Sequence, residues 1–160
     1  MRRVVITGIG VISPIGIGTR AFWDSLVGGK VGVRRISSYD PSGFPSQIGG
    51  EVPPYKIGDF VPKSYRKATK VMARDIELAV VAADDAFKDA GLQSRAYTDS
   101  PTIEPTRFGC NIGAGLISCE LNELTYALNI ARGDGNKLDL HKWGQEGMQQ
   151  LTPLWLLKIG

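Results

Sequence analysis

The sequence predicts an α/β fold with parallel strands and helical crossovers, and three stretches carry this prediction. Residues 4–7 form a β-branched, apolar run that is typical of a strand buried on both faces. A long helix is predicted between Ser64 and Gly91, and a second strand at residues 107–112 precedes a helix over residues 118–132. Strands that alternate with helices in this way are typical of α/β architectures.

The first predicted helix and the segment after it are short. Thr19 is expected to cap a helix that ends at Gly28 and Gly29. Residues 37–54 are rich in Ser, Pro and Gly, so they predict a loop with a short hairpin. The apolar face expected on the helix comprises Phe22, Trp23, Leu26 and Val27.

The long helix is the strongest element of the pattern. Ser64 is its expected N-cap, and Gly91 is expected to end it in a left-handed cap, with Leu92 folding back on the last turn. In the helix over residues 118–132, leucines recur on one side. The core-facing stripe of the long helix comprises Met72, Ile76, Val80, Ala83 and Phe87, and Ala79 widens it.

Composition and charge narrow the class of protein. The chain has 160 residues, of which 42% are hydrophobic and 22% charged, enough for one core. The net charge of +3, with acids interspersed among the bases, argues against a general nucleic-acid or membrane-surface binder. Cys110 and Cys119 lack metal-ligand or disulfide-framework spacing, so we expect no metal and no cofactor, and a reducing, cytoplasmic location.

The glycine-rich opening raises the question of a phosphate site. Residues 8–13 carry the first two glycines of the dinucleotide-binding fingerprint but a serine at the third position. Pro14 disfavours helical geometry at Ser13, so the helix whose amides would hold a pyrophosphate cannot begin there. No Walker-type Gly-Lys-Ser/Thr follows. The stretch therefore predicts a structural turn, with a nucleotide-binding module as the less favoured alternative.

Four blocks of the sequence resemble, in order, the N-terminal half of the β-ketoacyl synthase family. They read RRVVITGIGVISPIG, AFWDSLVGGKVGVRRI, YRKATKVMARDIELAVVAADDAFKDAGL and RFGCNIGAGLIS. The resemblance implies a thiolase-like, layered αβαβα fold, of which residues 1–160 would form the N-terminal part, and an acyltransferase of fatty acid or polyketide synthesis. Residues 133–150 look like an insertion or loop relative to shorter relatives.

The same resemblance implies that the catalytic residues are absent from this chain. The family uses a nucleophilic cysteine and two histidines that follow the matched region, and Cys110, Cys119 and His141 do not match them. A packed free thiol is the expected state of each cysteine, and a solvated surface the expected place of His141. The chain alone is therefore expected to be inactive in condensation.

Apolar residues crowd the last ten positions, which favours burial against further sequence or a second chain. The resemblance makes Leu116, Leu154 and Trp155 candidate contacts to the acyl chain, with plain core or dimer packing as the alternative. It also implies a homodimer, or a complementary C-terminal half.

Four basic residues, Lys63, Arg66, Lys67 and Lys70, define a basic segment over residues 63–70. In the first turns of the predicted helix they would oppose its dipole, which favours acids there. The resemblance implies that they meet an acidic acyl carrier protein; a merely solvated face is the alternative. Three function classes follow: part of a condensing enzyme, a non-catalytic homologue or partner subunit, and a nucleotide-binding module.

Overall fold

Short antiparallel strand pairs and a few helices form the regular structure of residues 3–113 and 121–151, which are those that this computed structural model describes. The strands and α-helices are β1 (Ile12–Ser13), β2 (Gly16–Ile17), α1 (Thr19–Val27), β3 (Val33–Arg35), β4 (Ile48–Gly50), α2 (Arg74–Asp89), α3 (Leu121–Ile130) and α4 (Leu140–Lys142). Short 3-10 helices cover Ile57–Asp59, Lys63–Tyr65, Ala68–Val71, Pro105–Arg107, Asp134–Asn136 and Met148–Gln150, and a π-helical turn covers Trp143–Gly147.

The chain divides into two units. The first consists of Met1–Lys63 and Leu78–Asn111, and the second of Ser64–Glu77 and Ile112–Gly160. None of the helices in the described ranges is long and apolar enough to cross a membrane.

In the first unit, two glycines let the opening loop lie directly on helix α2. A Cβ atom at Gly10 would overlap the carbonyl oxygen of Ala82, and one at Gly8 would lie 2.7 Å from the Cβ of Ala90. Ala82, Ala86 and Ala90 recur at every fourth position, so their small side chains share one face of the helix. Backbone therefore packs against backbone at this contact.

Helix α2 begins ten residues later than the sequence predicts. Ser64 lies inside a 3-10 helix, and Met72 adopts an extended conformation with ψ of 128°, which breaks the helical path before Arg74. The first turn of α2 then contains Asp75 and Glu77. The predicted N-cap at Ser64 is therefore wrong, and the helix has acids where its dipole favours them.

Helix α2 is covered on more than the predicted stripe. Its completely buried residue is Val81, which lies outside that stripe. Val80 and Phe87 are only partly buried. The sequence pattern identified one apolar side and missed the alanine face that receives the opening loop.

The C-terminal cap of α2 is confirmed. Gly91 has a positive φ of 66°, the conformation that glycine adopts at little cost. The amide of Leu92 donates to the carbonyl of Phe87 at 2.9 Å, and the amide of Gly91 donates to that of Lys88 at 3.0 Å. These two bonds satisfy carbonyl groups that the helix end would otherwise leave unpaired.

Helix α1 occupies the predicted position but is capped by another residue. Its N-cap is Gly18, with φ of 91°, and Thr19 is already helical. Of the predicted apolar face, Phe22 is partly buried, whereas Trp23 and Val27 are 61% and 70% exposed; Leu26 is exposed as well. The cap at Thr19 is wrong because its hydroxyl bonds to groups outside the helix.

The two predicted parallel strands are not strands among the described residues. Residues 4–7 and 108–112 have no assigned regular structure, and Val4 is 94% exposed. The described strands instead form two antiparallel pairs, β1 with β2 and β3 with β4. An apolar, β-branched run becomes a strand only when a neighbour accepts its backbone hydrogen bonds, and no described segment pairs with these two runs.

The hairpin expected near residues 37–54 is present. Strand β3 pairs with β4 in the register Val33 to Gly50 and Arg35 to Ile48. The carboxylate of Glu51 closes the connecting segment, because it accepts hydrogen bonds from the amide and hydroxyl of Ser37, at 2.9 and 2.7 Å, and from the amide of Ser38 at 2.9 Å.

In the second unit, the stretch predicted as an insertion or loop contains helix. Helix α4, the π-helical turn and the 3-10 helix Met148–Gln150 follow one another, and the latter two pack against α3. Ala127 and Ala131 of α3 are completely buried. A Cβ atom at Gly147 would lie 3.0 Å from the carbonyl oxygen of Ala127, so glycine allows this close approach.

Replacing Gly10 by alanine tests the contact between the opening loop and α2. Because the new methyl group would overlap the Ala82 carbonyl oxygen, we expect Gly10→Ala to lower the free energy of unfolding by about 1–3 kcal/mol. Urea unfolding measures the change. Gly43→Ala is the matched control, since a Cβ atom there meets nothing within 4 Å; equal effects of the two substitutions would contradict the close contact.

A second prediction concerns acid stability. Hydrogen bonds from Ser38, and then from Ser37, lower the pKa of Glu51 from 4.5 to about 2. A lowered pKa contributes stability above pH 4.5 that is lost as the pH falls toward 2. We expect Glu51→Gln to remove this component, so that its urea midpoint changes less than that of the wild type across that interval. Parallel losses in the two proteins would show that Glu51 is not responsible.

Candidate functional site

The amides of the opening loop are bound to carboxylates of helix α2. Ile9 N–H donates to Asp89 Oδ2 at 2.9 Å, and Val11 N–H donates to Asp85 Oδ2 at 3.1 Å. The two aspartates are four residues apart, so both side chains reach the same side of the helix.

Thr19 completes the arrangement from the start of α1. Its amide donates to Asp85 Oδ2 at 2.9 Å. Its hydroxyl lies within hydrogen-bond distance of two acceptors, the carbonyl of Ile9 at 2.6 Å and Asp85 Oδ2 at 3.0 Å. Asp85 therefore joins the opening loop, the first helix and α2 at one oxygen.

This geometry disfavours a phosphate site in the opening loop. A phosphate cradle needs backbone amides that point at the anion, whereas the amides of Ile9 and Val11 already donate to carboxylates. A phosphate there would also meet the negative charges of Asp85 and Asp89. The interpretation of the loop as a structural turn is the one that the contacts support.

The basic segment lies on short 3-10 helices and not on an α-helix. Lys63 begins the helix Lys63–Tyr65, and Lys70 lies in Ala68–Val71, which Lys67 precedes. All four basic residues of the segment are exposed. Lys63 belongs to the first unit and the other three to the second. The expected conflict with a helix dipole is wrong, because α2 begins only at Arg74.

The candidate acyl-chain contacts lie outside the described residues. This applies to Leu116, Leu154 and Trp155 and also to Cys119. Their roles stay predictions.

Cys110 and His141 are exposed, as a nucleophile in a dry pocket would not be. Cys110 is a free thiol. His141 is exposed in the three-residue helix α4, where its amide donates to Asp139 Oδ1 at 2.8 Å. Backbone hydrogen bonds from Lys142 and His141 lower the pKa of Asp139, which acts as the N-cap.

An apolar pocket of about 230 Å³ lies in the first unit. The rings of Phe87 and Phe108 meet there at 5.2 Å between centroids. Its other walls include Leu92, Pro101, Ile103 and Pro105. The lining contains no carboxylate, thiol or imidazole, so it holds no acid–base or nucleophilic group.

Sequence reasoning missed the acidic side chains of α2. Asp84, Asp85 and Asp89 read as a solvated face in the sequence, yet all three accept hydrogen bonds from distant segments or from Lys88. One signal was present: aspartates four residues apart flank alanines with the same spacing, a pattern that suits backbone approach.

Comparison with known proteins gives the family. Residues 1–141 match the family model described as the β-ketoacyl synthase N-terminal domain. The chain is 43% identical over 115 residues to the tetracenomycin polyketide synthase ketoacyl synthase alpha subunit of Streptomyces glaucescens, covering 72% of this chain and 25% of that protein. It is 38% identical over 134 residues to 3-oxoacyl-[acyl-carrier-protein] synthase 2 of Coxiella burnetii, covering 82% of this chain and 30% of that protein.

A solved structure shows the same fold. The ishigamide ketosynthase/chain length factor superposes with a TM-score of 0.63 at 26% identity, over 99% of this chain and 34% of that one. The predicted thiolase-like α/β class is thereby confirmed. The chain spans about a quarter to a third of the length of the relatives it matches. It belongs to the β-ketoacyl synthase family, whose N-terminal domain it matches over residues 1–141.

Proposed function

We propose that this chain is part of a 3-oxoacyl-[acyl carrier protein] synthase of fatty acid or polyketide synthesis. The match of residues 1–141 to the N-terminal domain of the family carries the proposal. The carboxylates bound to the opening loop support it, since they disfavour the competing nucleotide-binding function.

The proposed reaction is a decarboxylative condensation. A cysteine thiolate attacks the acyl thioester and releases the carrier thiol, which leaves the acyl group on the enzyme. A malonyl carrier then loses carbon dioxide, and the resulting carbanion attacks the enzyme thioester. The product is a 3-oxoacyl carrier, longer by two carbons, and the thiolate is regenerated. The cysteine and the two histidines that we assign to this reaction are not among these 160 residues, which contain a single histidine.

Within this enzyme we assign the chain scaffold and contact roles. The basic segment would attract an acidic acyl carrier protein, and its exposed charges suit that role. Leu116, Leu154 and Trp155 would contact the acyl chain. The remaining contacts would be with a second copy in a homodimer or with a complementary C-terminal half. We place the enzyme in the cytoplasm, where Cys110 would stay a free thiol.

A second candidate is a non-catalytic partner subunit. The solved relative is titled a ketosynthase/chain length factor, so the same fold occurs in a protein that combines a ketosynthase with a factor of another name. Both candidates use the same scaffold, and the presence of a nucleophilic cysteine followed by two histidines in the full-length protein distinguishes them.

Product formation tests the proposed function. We expect the full-length protein that contains this chain to convert acyl and malonyl carriers into a 3-oxoacyl carrier, detected by mass spectrometry. We expect the 160-residue chain alone to form none. Condensation by the 160-residue chain alone would contradict the assignment of the nucleophile to other sequence. A full-length protein that binds carriers without forming product would favour the partner-subunit candidate.

Charge reversal tests the carrier-docking role. We expect Lys67→Glu with Lys70→Glu in the full-length protein to weaken binding of the acidic carrier about tenfold at low salt, with a smaller effect at high salt because exposed charges are screened. Lys30→Glu with Lys137→Glu is the matched control, since both lysines are exposed and the net change in charge is equal. Equal weakening by the two pairs would show a general charge effect and contradict a local docking surface.

A further inference from the structure

The hydroxyl of Tyr97 fastens two segments of the first unit to helix α2. It donates to Asp84 Oδ1 at 3.0 Å and to the carbonyl oxygen of Phe60 at 3.1 Å. The other carboxylate oxygen of Asp84 accepts from Lys88 Nζ at 2.5 Å. The side chain of Asp84 is only 8% exposed. A carboxylate this well covered needs both partners, because its desolvation would otherwise be costly.

Phe60 lies at the entrance to the basic segment. It is the C-cap of the 3-10 helix Ile57–Asp59, and three residues separate it from Lys63. Its ring meets that of Tyr55 edge to face, with centroids 5.8 Å apart and planes at 89°. The hydrogen bond from Tyr97 therefore fixes the backbone at the last held point before the basic segment begins.

We propose that Tyr97 is a positioning residue for carrier-protein docking: through Phe60 it fixes the start of the basic segment relative to helix α2. The proposal rests on the proposed docking function of that segment. A segment held in place before binding loses less conformational freedom when the partner arrives, so its charges bind more tightly.

The state of the hydroxyl suits this role. Burial, then the hydrogen bond to Asp84, raises the pKa of Tyr97 to about 12. The phenol therefore keeps its proton throughout the physiological pH range and acts as a donor to both acceptors.

Substitution by phenylalanine removes the hydroxyl and leaves the ring. In the 160-residue chain, we expect Tyr97→Phe to accelerate amide hydrogen exchange at residues 57–63 about tenfold. The amides of Asp59 and Phe60, which donate within the 3-10 helix, are the best reporters. Exchange in α3 should not change, which separates local release from general destabilisation. Tyr39→Phe is the matched control, because no hydrogen bond of the Tyr39 hydroxyl occurs among the described residues.

Carrier binding gives the functional measurement. In the full-length protein we expect Tyr97→Phe to raise the Kd for the acidic carrier about threefold to tenfold, with the salt dependence unchanged because every basic side chain is retained. The Lys67→Glu and Lys70→Glu pair should instead reduce the salt dependence itself. Tyr39→Phe should change neither quantity.

Two outcomes overturn the inference. Unchanged exchange at residues 57–63 would show that Tyr97 does not hold Phe60. Faster exchange with unchanged affinity, while charge reversal weakens binding, would leave carrier docking standing and exclude Tyr97 from it. If charge reversal also has no effect, the docking function itself fails, and the inference fails with it.

Discussion

The close contact between the opening loop and helix α2 is the constraint on which the first unit depends. Gly8 and Gly10 leave no side chain between the loop and the alanine face of the helix. That closeness brings the loop amides within reach of Asp85 and Asp89, which accept them. Helix α1 is tied to the same carboxylate through Thr19. Steric fit and hydrogen bonding thus specify a single placement of residues 8–19, and each requires the other.

The sequence predicted best those features that local chemistry decides. Gly91 ends α2 because only a residue tolerant of positive φ suits that position, and such signals act over a few residues. The start of α2 was misjudged because Met72 continues the apolar spacing of the helix although its backbone is extended. Residues 4–7 show the opposite limit, since a strand needs a partner whose identity no local pattern contains.

The opening loop shows why a glycine pattern alone does not define a site. Closely spaced glycines allow backbone to approach a phosphate, and they equally allow it to approach a helix. The difference lies in what faces the freed amides. In this chain it is a pair of carboxylates from residues 85 and 89, about 75 positions away in the sequence. The serine and proline after the glycines predicted the outcome, but the acceptors became identifiable only in the structure.

The structure changes the reasoning behind the basic segment. The sequence placed four cations at the start of a helix, where the dipole would oppose them, and a local cost of that kind invites a functional explanation. Lys63, Lys67 and Lys70 instead belong to short 3-10 turns or their borders, and α2 begins later with acids in its first turn. Their placement therefore carries no penalty that function must offset. Support for docking comes from the exposure of the charges and from the family. Only a binding measurement that varies charge and salt separately can distinguish a docking surface from a solvated one.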